Sequence, residues 1–68
     1  MNSDIIKGKW QEIKGKLKTQ WADLTDDDIL KAEGSYDKLC GRIQERYGHN
    51  KDRVEKEVSE FIKKNKWN

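Results

Sequence analysis

Ile6, Trp10, Ile13, Leu17 and Trp21 follow one another at steps of three and four, the spacing that keeps side chains on one face of a helix. A second series, Ile29, Ala32, Tyr36, Leu39, Cys40, Ile43 and Tyr47, keeps the same rhythm and stops at Gly48, the residue type that most easily turns left-handed. Val54, Val58, Phe61 and Ile62 form the third. All three series predict helix. Ser3 is the expected cap of the first and Thr25 of the second, where Asp26, Asp27 and Asp28 favour the positive helix end. Leu24 and Ile29 occupy staple positions around that start. Asn50 caps the last helix, with Asp52 in its first turn and His49 and Val54 placed as the staple.

Residues 8–21, GKWQEIKGKLKTQW, align without gaps on residues 34–47, GSYDKLCGRIQERY. Gly8 meets Gly34, Trp10 meets Tyr36, Gly15 meets Gly41, and Trp21 meets Tyr47. Gly34 then reads as a break, with a short helix over about 26–33 followed by a longer one to Tyr47. The expectation is an all-α fold of four short helices arranged as two packed helical hairpins. A three-helix bundle with an unbroken middle helix competes, because one glycine costs a helix only about 1 kcal/mol.

The expected core comprises Trp10, Ile13, Leu17, Trp21, Ile29, Tyr36, Leu39, Ile43, Tyr47, Val54, Val58 and Phe61, with large rings supplying area that few aliphatics provide. Trp67 is expected to cover an end of the bundle. At about 100 degrees per residue the glycines Gly8, Gly15, Gly34 and Gly41 fall opposite the apolar stripe. Either another helix backbone packs closely on them or they mark a break such as that at Gly34, or they leave a bare surface for a partner. On the second reading the partner surface holds Gly8, Gly15, Gly41, Lys9, Lys16, Arg42 and Arg46.

Charged residues make up 41% of the chain against 32% hydrophobic, so folding depends on the strict placement of the apolar minority. The length, 68 residues, suits one domain over 1–68. Cys40 is the sole cysteine, so no internal disulfide forms, and a reducing cytoplasm is the expected setting. No export signal and no membrane-spanning apolar run is read.

The net charge of +2 is too small to indicate nucleic acid, though the ends are basic and the middle acidic. The rival to a protein partner is a nucleic acid or anionic lipid held by Lys7, Lys9, Lys14, Lys16 and Lys18 with Arg42, Arg46 and Arg53. The three consecutive aspartates lack the spacing of a calcium loop and read as capping. Lone His49 and Cys40 read as structural, the latter as a buried neutral thiol. With no nucleophile and base pair, metal cluster or phosphate loop, the chain is expected to be no enzyme and to need no cofactor or metal.

The combination of GKW, QEIKGKLK and QW with LTDDD, LCGRIQERYG and EKEVSEF resembles the CsbD-like family of small bacterial stress-response proteins. The resemblance spans almost the whole chain. It implies a bundle of short helices, a cytoplasmic location and induction under general or osmotic stress, with no enzyme activity and no agreed functional site. Ala22 stands where glycine is common in that family, and Cys40 where an aliphatic residue is usual. The combined expectation is a non-enzymatic stress-response protein that binds another protein or itself.

Overall fold

Three of the helix starts carry side-chain caps, and these set the element order in the computed structural model, which describes residues 2–67. The expected domain limits at 1 and 68 lie outside the described residues. The elements are α1 (Asn2–Gly8), α2 (Trp10–Gln20), α3 (Asp26–Ala32), α4 (Tyr36–Tyr47) and α5 (Lys51–Lys64). At α3 the Thr25 hydroxyl accepts the Asp28 N–H at 3.1 Å, and the Asp28 carboxylate accepts the Thr25 N–H at 3.1 Å. This reciprocal capping box satisfies two donors that a helix start otherwise leaves unpaired. Ser35 accepts from Lys38 N–H at 3.3 Å to begin α4, and Asn50 accepts from Arg53 N–H at 2.8 Å to begin α5.

The described residues form helices and no strands, as the spacing predicts, but the helices number five rather than four. The expected first helix bends at Lys9, whose φ of −111° and ψ of 18° leave the helical region. Gly8 precedes the bend and holds the backbone weakly, so it is a natural place for the helix to yield. The four-residue step from Ile6 to Trp10 survives, and both residues remain buried, which is why periodicity alone passes over the break. Ser3 lies inside α1 rather than capping it, and the Asn2 side chain donates to Ser59 Oγ at 2.6 Å, tying α1 to α5. The unbroken middle helix is also excluded: Gly34 takes φ 72° and separates α3 from α4. Gly48, at φ 68°, closes α4 with its N–H on the Gln44 carbonyl.

Helix α4 is the central element and packs on α1, α3 and α5. Its Leu39, Cys40 and Ile43 join Ile6, Trp10, Ile13, Leu17, Trp21, Leu24, Ala32, Val54, Val58, Phe61 and Ile62 in one buried cluster. Of the expected core residues, Ile29, Tyr36 and Tyr47 lie at its margin and are half-buried. The Tyr47 hydroxyl uses its exposed end to accept the Asp23 N–H at 3.0 Å, fixing the α2–α3 loop on α4. Rings concentrate at one end, where Phe61 meets Trp21 at 5.0 Å and Trp67 at 5.2 Å, both edge to face.

Trp67 reaches that position through a left-handed residue. Lys66 has φ 58°, its N–H bonds the Lys63 carbonyl, and the Trp67 N–H bonds the Ile62 carbonyl. This is the hydrogen-bond pattern of a Schellman stop, here with lysine where glycine is usual. The left-handed lysine costs about 1 kcal/mol. Closing the open end of the core with an indole offsets that cost.

Candidate functional site

The most buried charge among the described residues stands at the α3–α4 junction. Asp28 is 1% exposed, and the capping box occupies only part of its carboxylate. Arg46 reaches back from the last turn of α4 and donates through Nε at 2.6 Å and through Nη2 at 3.3 Å. Arg42, one turn earlier on the same face, places Nη1 3.6 Å away and also pairs with Glu45. The Arg46 hydrogen bonds hold the Asp28 carboxyl well below the usual carboxylate range; burial opposes them, and the Thr25 backbone N–H assists. In the same exchange the Arg46 guanidinium is pushed up. A carboxylate held ionised by Thr25 N–H and the Arg46 guanidinium is poorly suited to accept a proton from a substrate. It locks two helices together.

Each residue expected at a partner surface can be placed. Arg42 and Arg46 meet on Asp28, and Arg42 and Gly41 line an open groove with Lys31 and Lys38. In that groove Lys31 is paired with Asp27 at 3.1 Å. Lys16 borders a separate hollow with Thr19, Gln20, Phe61, Lys64 and Asn65. Lys9 pairs with Glu12 at 3.7 Å. Gly8, Gly15 and Lys9 line neither hollow, so the fold does not gather the set into one patch.

What Gly8, Gly15 and Gly41 share is open space. A Cβ built on any of them meets no atom within 4 Å. Close approach of another helix backbone therefore does not explain them, though Gly8 ends α1 and so sits at a break, leaving Gly15 and Gly41 inside their helices. Gly34 differs, since its positive φ disfavours any side chain.

A further hollow opens between α2 and α3, lined by Trp10, Lys14, Asp26, Ile29, Leu30 and Glu33. Leu30 is 67% exposed and is the large hydrophobic residue left in solvent among those described. It falls outside the apolar series of its helix, and that departure from the stripe is the signal a sequence reader has. Nothing at the sequence level links Asp28 to Arg46, which lies 18 residues away.

Two further candidates are Cys40 and His49. Burial pushes the Cys40 thiol up to about 11, partly countered by a hydrogen bond with Tyr36. His49 places its ring 5.7 Å from Tyr47 and Nδ1 3.4 Å from Glu57. Among the described residues no group of three or more His, Cys, Asp and Glu is placed to hold a metal, and no helix is long and apolar enough to cross a membrane.

Fold and site together define a small all-α protein organised by one buried carboxylate–arginine lock. Residues 4–56 match the CsbD-like family, and the chain belongs to it. It is 56% identical over 61 residues to a UPF0337 protein of Pseudomonas aeruginosa, covering 90% of this chain and 94% of that one. UPF0337 protein YjbJ of Escherichia coli is 51% identical over 67 residues, covering 98% and 97%. A UPF0337 protein of Bordetella pertussis is 48% identical over 65 residues, covering 96% and 98%.

Proposed function

We propose that this protein is a non-enzymatic, cytoplasmic member of the bacterial stress response that works by binding other proteins or itself. The observation that carries this reading is that Gly15 and Gly41, inside α2 and α4, face empty space. Each lowers helix stability by about 1 kcal/mol relative to alanine, and no neighbour within the fold requires the missing side chain. A surface stripped to backbone suits close approach by a second chain. Membership of the CsbD-like family supports the setting.

The anionic-polymer reading is weakened by the same geometry. Arg42 and Arg46 spend their charge on Asp28, leaving mainly dispersed lysines for phosphate. Site-specific photo-crosslinking in stressed cells separates the two. Probes at positions 8, 15 and 41 are expected to trap protein, in yields well above probes at Thr19 or Lys56. Equal yields at all positions would defeat the reading. Adducts with nucleic acid alone would favour its rival.

A further inference from the structure

We propose that the hollow between α2 and α3 is where two copies of this chain meet across a two-fold axis, with Leu30 of each seated against the other's Trp10 and Ile29. This inference rests on the protein-binding reading above and names one partner, a second copy, and one surface. Trp10, 8% exposed, and half-buried Ile29 contribute apolar lining, and Leu30 stands 67% exposed beside them. An aliphatic side chain in water beside an aromatic wall gains by being covered.

The charges around this lining select the occupant. Lys14 on α2 and Glu33 just past α3 both border the hollow, and neither belongs to an ion pair among the described residues. Asp26, the third charged residue there, is already held by Lys18. One unpaired cation and one unpaired anion, carried on different elements around these apolar residues, make a self-complementary patch. In a two-fold interface a residue that faces a second residue of the partner is faced by it in return. Lys14 of each copy thus meets Glu33 of the other, twice, while the apolar residues meet at the centre. The patch is small, so the dimer is weak and forms as the protein accumulates.

Sedimentation of the full chain over a concentration series tests this, with folding of each variant checked by circular dichroism. Wild type is expected to shift from monomer toward dimer as concentration rises. Lys14→Glu and Glu33→Lys each place like charges opposite one another in a homodimer, and each is expected to weaken association by about tenfold or more. Mixing the two variants puts opposite charges together at both contacts and is expected to restore a dimer containing one of each. Leu30→Asp is expected to abolish association in every combination. An effect confined within one chain cannot be rescued by mixing. Wild type that stays monomeric to millimolar concentration overturns this inference and leaves protein binding to be judged by crosslinking. Association that ignores the charge reversals, or that mixing fails to restore, also overturns it, and places self-association on another surface.

Discussion

Phe61→Ala is expected to leave the domain largely unfolded at room temperature. Phe61 is 3% exposed, and its ring forms edge-to-face contacts with both Trp21 and Trp67. Removing a buried phenylalanine costs about 3–5 kcal/mol through lost transfer energy and the void left behind. A chain of 68 residues has a total stability of only about 3–10 kcal/mol. Two indoles lose their partner at once, so the open end of the bundle has no way to close around the gap. The melting temperature should fall by about 20 °C or more, with loss of near-ultraviolet dichroism from the tryptophans. Phe61→Leu refills most of the volume and should cost about 1–2 kcal/mol. A melting temperature unchanged in Phe61→Ala would mean that the aromatic end of the core carries little of the stability.

Asp28→Asn is expected to cost about 3 kcal/mol at neutral pH, because it removes the charge on which the α3–α4 junction is built while nearly keeping its shape. Stability should also respond differently to acid. The folded state holds the Asp28 carboxyl below its ordinary value, so near and below the unfolded value of about 3.9 the unfolded chain binds the extra proton. The stabilisation is therefore complete above the unfolded value and is lost as pH falls toward the folded one. Urea unfolding midpoints of wild type should drop between about pH 5 and about pH 2, and more steeply than those of Asp28→Asn. Parallel slopes would show that the junction does not depend on ionisation.

Much of this architecture is written in local pattern. Steps of three and four place Ile13, Leu17, Leu39, Ile43, Val54 and Val58 inside, and Thr25, Asn50 and Gly48 mark helix ends through chemistry that acts within a single turn. The bend at Lys9 has a sequence trace that periodicity hides. The gapless match of residues 8–21 on 34–47 pairs Gly8 with Gly34, and Trp10 with Tyr36. In the fold Gly8 closes one seven-residue helix and Gly34 follows another, while Trp10 and Tyr36 each open the helix that comes next. Treating the two glycines alike gives five helices; treating only Gly34 as a break gives four.

The candidate site is less legible in the sequence. Asp28 reads correctly as a capping residue, but its bond to Arg46 depends on how α3 folds back on α4, and no spacing rule covers a pair 18 residues apart. Leu30, Lys14 and Glu33 share a hollow only because the α2–α3 loop brings two helix flanks together. The glycines stand out in the sequence because they cost helix stability. Only the empty space around them distinguishes a bare surface from a tight helix crossing.

The most direct test is one variant carrying Gly8→Ala, Gly15→Ala and Gly41→Ala together, measured for stability and for its ability to support stressed cells lacking the native protein. The account predicts a chain more stable by about 1.5–3 kcal/mol that supports those cells poorly, because three methyl groups keep a partner from the backbone. A variant that is more stable and fully active would contradict it, as would one that is less stable.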